Sequence, residues 1–459
     1  MMGASPVIVG AGPAGVRAAQ ALVAHGLRPV VIDEAPRWGG QIYRQPPPGF
    51  LRSKATLYGF EAKRADAVHA TMNTLLGRVD YRPNTLVWNV EGDRLMLQND
   101  GRTSSLQRGP LIVASGATDR VLPFPGWTLP GVYTLGAAQI ALKYQGCAIG
   151  SRVVLAGTGP LLYLVAYQYA KAGAEVAAVL DSASFSDKLA AAPAMLHEPA
   201  VFAKGLYYLA WLKAHGVAVH QRAWPLRASG KRHVEALAWH DGHRHHTIDC
   251  DAIGFGHALR SETQLADLLG CSFSFDTLQR AHLPQCDAAG RTSVAGVYLA
   301  GDGAGIRGAD AAEWAGERAA LALLADNGVA VDTSREQQLE RRLKRNLTFR
   351  RGLERAFPFP ADWAAHASDD LVVCRCEEIT AGELRQVVRD TGAIELNRLK
   401  ALSRVGMGRC QGRICGAAAA EILAHATGQP IQLVGRLRGQ APIKPLPFTV
   451  VEAATEEIA

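Results

Sequence analysis

The chain has 459 residues, of which 48% are hydrophobic and 20% charged, a composition ordinary for a globular protein of two to four domains. Its formal charge of +7 would suit nucleic-acid binding only if a basic face carried aromatic platforms, and the sequence shows none, so we expect no nucleic-acid partner. It has no run of about 18 uninterrupted apolar residues and no basic N-terminal segment with a cleavage site, so we expect a cytoplasmic protein without a transmembrane segment.

The N-terminal segment predicts a strand, a glycine-rich turn, a helix and a second strand. The turn from Gly10 to Gly15 has the spacing G-x-G-x-x-G. Its first glycine permits a tight turn, the second lets a pyrophosphate approach, and the third lets helix and strand pack closely. Asp33 ends the second strand, where a carboxylate can bind a ribose, and Glu34 is the neighbouring candidate. This context predicts a dinucleotide site formed by Gly10, Gly12, Pro13, Ala14, Gly15, Asp33 and Glu34.

Residues 84–116 alternate short apolar runs with turns and predict a β-meander that returns to the sheet. A second strand–turn–helix–strand unit follows, with Gly157 and Gly159 in its turn. Leu162 takes the place of the third glycine, and Asp181 lies one position later than the acid of the first unit. Because leucine would crowd the contact between helix and strand, the sequence favours a site that is vacant or holds another adenine nucleotide over an NAD(P) site.

Two other polar segments have a plain and a functional interpretation. His240, His243, His245 and His246 flank a predicted hairpin turn at residues 241–242, and the pattern favours an exposed polar hairpin over a metal site. The basic stretch Arg335 to Arg355 has leucines at helical spacing at positions 339, 343 and 347. It predicts a solvated linker helix, and the alternative is a docking surface for a partner subunit.

Four of the eight cysteines lie close together near the C-terminus, at Cys374, Cys376, Cys410 and Cys415. The pattern C-x-C, then 33 residues, then C-x4-C, supplies the four thiolates that hold a 2Fe–2S cluster. Structural zinc sites usually separate paired cysteines by at least two residues, so zinc and unligated thiols are the weaker alternatives. Nearby arginines favour thiolates. No C-x-x-C pair occurs, which argues against a disulfide reductase.

Further motifs resemble the signatures of the two-dinucleotide-domain flavoprotein superfamily. Gly39-Gly40-Gln41 resembles its second FAD signature, Ala114-Ser115-Gly116 its crossover signature, and the segment ending in Gly301-Asp302 its C-terminal FAD signature. The resemblance implies that Asp302 contacts the ribityl chain or pyrophosphate and that Gly40 and Gln41 lie near the flavin. The cofactor-binding residues that it adds are Gly40, Gln41, Ala114, Gly116, Gly301 and Asp302.

The cysteine spacing resembles the bacterioferritin-associated-ferredoxin-like (BFD-like) 2Fe–2S domain. The whole combination resembles the flavoprotein subunits of opine oxidases, D-hydroxyproline dehydrogenase, hydrogen cyanide synthase and dye-linked proline dehydrogenase. That resemblance implies a partner flavoprotein subunit that oxidises an amino or imino acid, and electron transfer to a respiratory acceptor. Some complexes also hold FMN at a subunit interface or a small ferredoxin-like subunit. Such a complex would sit peripherally at the inner membrane.

We therefore predict an α/β fold with two dinucleotide-binding, Rossmann-like domains, the second inserted in the first, and a small helical C-terminal 2Fe–2S domain. The expected boundaries are 1–148 and 285–330 for the FAD domain, 149–284 for the second nucleotide domain, 331–370 for the linker helix, 371–427 for the 2Fe–2S domain and 428–459 for an extended tail. Two rival functions are a stand-alone NAD(P)H-dependent flavin and iron–sulfur reductase, and a redox sensor that uses the cluster as a switch. The sequence assigns no catalytic residue.

Overall fold

The computed structural model of the protein describes residues 4–50 and 52–447 and the backbone of residues 451–452. The strands are β1 (Val7–Val9), β2 (Val30–Ile32), β3 (Asp80–Arg82), β4 (Leu86–Glu91), β5 (Arg94–Asn99), β6 (Arg102–Gln107), β7 (Leu111–Val113), β8 (Ala117–Asp119), β9 (Val132–Thr134), β10 (Arg152–Thr158), β11 (Glu175–Asp181), β12 (Val219–Gln221), β13 (Trp224–Ser229), β14 (Ala236–His240), β15 (His245–Asp249), β16 (Ala252–His257), β17 (Leu259–Ser261), β18 (Phe273–Asp276), β19 (Ala281–Pro284), β20 (Val297–Leu299), β21 (Val372–Cys374), β22 (Ile379–Thr380) and β23 (Val451–Glu452).

The α-helices are α1 (Pro13–Ala24), α2 (Lys54–Tyr58), α3 (Ala62–Leu75), α4 (Leu135–Ile140), α5 (Pro160–Lys171), α6 (Phe185–Met195), α7 (Pro199–Ala214), α8 (Gln264–Leu268), α9 (Ala309–Asp326), α10 (Thr333–Ala356), α11 (Trp363–His366), α12 (Ala381–Thr391), α13 (Leu396–Ser403) and α14 (Gly416–Thr427). Short 3₁₀ turns cover Gly59–Glu61 and Gly301–Ala304, and a π-helical turn covers Ala141–Gln145. No helix among the described residues has both the length and the apolar character needed to cross a membrane.

The first domain is built on a parallel sheet with the strand order β20-β7-β1-β2-β3. Residues 7–9 pair on one side with residues 30–32 and on the other with residues 111–113. The central strand is apolar and almost wholly buried, as expected for a parallel sheet covered on both faces. Helices α1 and α9 pack on one face, so the predicted opening unit of the first domain is confirmed.

The second domain has its own parallel sheet, in the order β12-β11-β10-β16-β9. The boundaries predicted for it, 149–284, are wrong at both ends. Strand β9 pairs with β16, so this domain takes up residues before 149; a three-residue edge strand gives too little pattern to be seen in sequence. Leu265, Leu269 and Cys271 pack in the core of the first domain, so that domain resumes before residue 285.

Both domains also contain antiparallel strands outside their parallel sheets. Strands β4, β5 and β6 form the predicted meander, and β7 then returns the chain to the parallel sheet. In the second domain β14 and β15 form the predicted hairpin around residues 241–242. Its histidines stack on tryptophans, His246 on Trp239 and His240 on Trp224.

The C-terminal domain packs against the second domain. Its helices α12, α13 and α14 share a core with strands β10, β11 and β16. The segment 358–370, predicted as part of a linker, is docked instead. The Trp363 indole N–H donates to the Pro123 carbonyl at 3.0 Å, and the Trp127 indole N–H donates to the Val372 carbonyl at 2.7 Å.

The basic helix α10 is amphipathic, as predicted, but it is not a solvated linker. Leu339 and Leu343 are buried, and the helix packs against α6 and α9. The tail beyond α14 also packs on its own chain, because the Ile443 N–H donates to the Trp88 carbonyl at 3.1 Å and Lys444 pairs with Glu34. Residues 448–450 and 453–459 of the predicted tail lie outside the described residues.

Candidate functional site

The first glycine turn is shaped for an anion. Gly10 has φ +106°, and a Cβ there would lie 2.3 Å from the Ala114 carbonyl oxygen. A Cβ on Gly15 would lie 1.8 Å from the Gly10 oxygen, whereas a Cβ on Gly12 would meet nothing closer than Gly40 Cα at 3.6 Å. The outer two glycines are therefore needed for packing, while Gly12 leaves open the space before the N-terminus of α1, where a pyrophosphate binds.

The two acidic candidates of this turn have different roles. Asp33 is buried, and its carboxylate accepts the Ala11 N–H at 2.5 Å and the Ala35 N–H at 2.7 Å. Burial raises the pKa of Asp33, and these two backbone hydrogen bonds oppose the rise. Glu34 points to the tail, where it pairs with Lys444. Asp33 is thus the carboxylate that lies against the glycine turn.

The remaining flavin signatures meet this turn. Gly40 lies opposite Gly12, and Gly301 lies against Ala14. The Asp302 carboxylate accepts the N–H groups of Arg307 and Gly308 at 2.8 and 2.9 Å. It therefore fixes the backbone of its own loop beside the glycine turn.

Gly116 and Gln41 complete the predicted set. Gly116 has φ +73°, and a Cβ there would meet nothing within 4 Å. The Gln41 side chain is exposed and accepts a hydrogen bond from Arg44 at 3.2 Å. Gly12 and Gly40 face each other at a separation that side chains would fill, and this fits a bound dinucleotide.

The second nucleotide turn is arranged differently. Gly157 has φ +126° and fits tightly against Gly256, and Leu162 is accommodated in the core of the domain. The fully buried Asp181 carboxylate accepts hydrogen bonds from Thr158 at 3.1 Å, Tyr163 at 2.6 Å and Lys188 at 2.6 Å. The Ala183 N–H donates to the same carboxylate at 3.0 Å, so four donors of the protein occupy it, whereas Asp33 accepts two backbone N–H groups.

The four C-terminal cysteines come together at the start of α14. Their sulfurs are joined by hydrogen bonds that run from Cys374 to Cys415, then to Cys410, then to Cys376. Hydrogen bonding by Cys415 lowers the pKa of Cys374 to about 6 and that of Cys410 to about 5. The same two hydrogen bonds, together with burial, raise the pKa of Cys415, and burial raises that of Cys376. Cys374 and Cys410 are therefore the two thiols shifted towards the thiolate form that ligates metals.

The burial of these thiols is uneven. Cys374 and Cys415 are buried, Cys410 is half-buried and Cys376 is exposed. Among the described residues no group of three or more His, Cys, Asp or Glu side chains is placed around a single metal ion. Gly408 is required here, because its Cβ would lie 2.2 Å from the Cys376 Cβ. Four neighbouring thiols, one at the end of β21 and three in turns, fit the ligand set of a 2Fe–2S cluster.

A segment that the sequence analysis missed joins the two sites. The Glu262 N–H donates to the Gly116 carbonyl at 3.0 Å, and the Ser115 hydroxyl donates to the Glu262 carbonyl at 2.6 Å. The Glu262 carboxylate pairs with Arg413 at 2.7 Å, in the loop between Cys410 and Cys415. Glu262 therefore contacts the crossover signature on one side and the loop between Cys410 and Cys415 on the other. No local pattern marks Glu262, since its partner lies 151 positions away.

Two protein-family descriptions match the chain. "Pyridine nucleotide-disulphide oxidoreductase" matches residues 4–316, and "BFD-like [2Fe-2S] binding domain" matches residues 372–425, which contain all four clustered cysteines. The first implies FAD and the second a 2Fe–2S cluster, so both predicted cofactors are supported by the families as well as by the geometry.

Curated relatives match over nearly the full chain. An opine oxidase subunit from Agrobacterium tumefaciens (strain Ach5) is 36% identical, over 96% of this chain and 90% of the relative. The hydrogen cyanide synthase subunit HcnB from Pseudomonas protegens is 35% identical, over 100% of this chain and 99% of the relative.

Solved structures show the same fold. L-Proline dehydrogenase from P. horikoshii superposes with a TM-score of 0.72 at 18% identity, over 97% of this chain and 78% of that one. The thioredoxin reductase of T. acidophilum reaches 0.51 at 20% identity, over 71% of this chain and 98% of that one. The predicted fold class is confirmed. The chain belongs to the pyridine nucleotide-disulphide oxidoreductase family, in the group that includes HcnB and the matching opine oxidase subunits and carries a BFD-like 2Fe–2S domain.

Proposed function

We propose that this chain is the electron-transferring FAD and 2Fe–2S subunit of a hetero-oligomeric dehydrogenase that oxidises an amino or imino acid of the opine, hydroxyproline or proline type. The observation that carries the proposal is the connection made by Glu262. This residue contacts Ser115 of the crossover signature and Arg413 of the loop between Cys410 and Cys415, called here the cysteine loop. FAD takes two electrons as a hydride, whereas a 2Fe–2S cluster takes one at a time, so their pairing converts a two-electron oxidation into single-electron steps.

The residues of this chain hold the two sites at a fixed separation. Gly12 and Gly40 leave room for the cofactor, and Asp33 fixes the glycine turn. The hydrogen bonds of Trp127 and Trp363 hold the C-terminal 2Fe–2S domain, called here the cysteine domain, against the second domain. Arg280 adds a two-pronged ion pair with Glu421 of α14, at 2.6 and 2.9 Å. Fixed geometry of this kind is what a protein contributes to cofactor chemistry.

The substrate site is assigned to a partner flavoprotein subunit. The matched relatives are themselves named as subunits. In this chain helices α6 and α7 expose apolar side chains to solvent. The charged side chains near them form ion pairs within the chain, Lys188 with Asp181, Glu198 with Arg345, and Lys204 with Glu61. Large exposed apolar patches mark interaction sites. We name as the apolar face the exposed side chains of this region, among which Phe60 packs against Tyr207: Phe60, Phe185, Leu189, Leu196, Leu206 and Tyr207.

A subunit interface at the apolar face has a direct test. Leu189→Asp should prevent co-purification of the partner when the neighbouring genes are co-expressed. Leu433→Asp is the matched control, because Leu433 and Leu189 are both 64% exposed but Leu433 lies in the segment that follows α14. Loss of the partner with both variants, or with neither, would contradict this location. If FMN lies at that interface, acid extraction should release FMN from the complex and only FAD from the single chain.

NAD(P)H is not the proposed reductant. The Asp181 carboxylate is occupied by Thr158, Tyr163 and Lys188, so it is not free to bind a ribose. This argues against a stand-alone NAD(P)H-dependent reductase, the first rival function.

The overall function is tested by dye reduction with opines, proline and hydroxyprolines as substrates. The chain should be inactive alone and active when co-expressed with its neighbouring genes. Comparable turnover by the isolated chain would place the substrate site here. A redox sensor, the second rival, would give no turnover in any combination.

A further inference from the structure

The cysteine loop is held by a positively charged side chain that belongs to another part of the chain. Arg260, in β17, donates through Nη1 to the Gly412 carbonyl at 3.3 Å and to the Arg413 carbonyl at 3.2 Å. Both carbonyls belong to the loop between Cys410 and Cys415. Gln264 adds a third bond, from its amide to the Gln411 carbonyl at 2.6 Å.

The charges around this loop do not cancel. Glu262 and Arg413 form a close pair at 2.7 Å, with side chains that are only 13% and 12% exposed, so they largely neutralise each other. Arg260 forms no ion pair of its own among the residues that the structure describes. It interacts electrostatically with Glu262, with the Cys410 and Cys415 thiols, and with Arg120, a further cation. Excess positive charge therefore remains beside the thiols.

The sign of its effect follows from electrostatics. A 2Fe–2S cluster on four thiolates is anionic, and reduction adds one more negative charge. A cation held nearby in a poorly solvated region stabilises the reduced state more than the oxidised state. It therefore raises the reduction potential of the cluster.

We infer that Arg260 is a positioning and redox-tuning residue that raises the reduction potential of the cluster, so that one electron passes readily from reduced FAD to the oxidised cluster without any bond being made or broken. Glu262 acts in the opposite direction by neutralising Arg413, and it ties the tuned loop to Ser115 and Gly116. The inference rests on the proposed electron-transfer function.

The test is a redox titration of anaerobically purified protein, with the cluster followed by EPR and the flavin by absorbance. Arg260→Gln should lower the reduction equilibrium constant of the cluster about tenfold, which is 59 mV for a one-electron couple. Arg260→Lys keeps the charge and should stay close to wild type. Glu262→Gln, which keeps the shape of the side chain but removes its negative charge, should raise the reduction potential of the cluster. The flavin potential should stay unchanged in all three.

Two controls separate charge from docking. Trp363→Phe removes the hydrogen bond to Pro123 without changing any charge. Arg398→Gln removes an exposed charge from α13 of the cysteine domain. Neither should move the cluster potential.

An unchanged potential in Arg260→Gln would overturn the inference, and so would an equal shift in Arg260→Lys. If the Arg260→Gln variant loses its cluster, the Glu262→Gln variant still tests the inference. A lower or unchanged cluster potential in Glu262→Gln would contradict it. These potentials are measured without substrate or partner, so failure of the proposed dehydrogenase activity and failure of the inference give different results.

Discussion

Gly12→Ala should separate the binding of FAD from the stability of the fold. Gly12 has φ −73° and ψ −174°, an extended conformation that alanine adopts without strain. Its added Cβ would meet nothing closer than Gly40 Cα at 3.6 Å, an ordinary contact. We therefore expect the unfolding free energy of the apoprotein to change by less than about 0.5 kcal/mol.

The same methyl group would occupy the space left for the pyrophosphate. Forcing one extra carbon into a filled site costs about 1–3 kcal/mol, which weakens FAD binding by about 5- to 150-fold. Gly12→Val should abolish binding. The assay is reconstitution of the apoprotein with FAD, followed by flavin fluorescence, alongside thermal unfolding of the apoprotein.

Two controls make the result specific. Gly15→Ala places a Cβ 1.8 Å from the Gly10 oxygen and should destabilise the apoprotein itself. Gly77→Ala, where a Cβ meets nothing within 4 Å, should change neither property. Wild-type affinity for FAD in Gly12→Ala and full FAD content in Gly12→Val would refute the placement of the pyrophosphate.

Three further predictions concern the other sites. Anaerobically purified protein should contain about two iron atoms per chain and, once reduced, give a rhombic EPR signal; one zinc per chain without iron would contradict the cluster. NADH and NADPH should reduce the flavin poorly in stopped-flow mixing, because Asp181 is engaged by Lys188; rapid bleaching at micromolar nucleotide would show otherwise. Arg280→Met should destabilise the cysteine domain by about 3 kcal/mol, since it leaves the buried Glu421 unpaired. The double variant with Glu421→Leu should recover most of that loss in thermal unfolding, and an equally unstable double variant would argue against this ion pair.

Local motifs were the part of the molecule that the sequence could predict. The glycine turns at Gly10 and Gly157 follow short apolar strands and precede helices, so spacing alone locates them. Two other features of the structure are equally local, the capping box at Thr380 and the helix that begins after Cys415. Each is decided by residues that are close neighbours in the chain.

Contacts between distant segments were not predictable in this way. The pairing of β9 with β16 joins residues about 120 positions apart through a strand of three residues. Glu262 and Arg413 are separated by 151 positions, and each alone looks like a surface charge. Trp363 lies in a segment whose composition indicates a linker, yet its indole binds Pro123. Such contacts depend on tertiary packing, which a single sequence does not display.

The central claim is that electrons pass from the flavin to the cluster within this chain, and freeze-quench EPR tests it most directly. The flavin of the anaerobic holoprotein is partly photoreduced, and the flavin absorbance and the cluster signal are then followed in time. The account predicts that the cluster signal grows as the flavin is reoxidised, with a first-order rate that does not depend on protein concentration. A rate proportional to concentration, or a reduced flavin that never reduces its own cluster, would contradict the account.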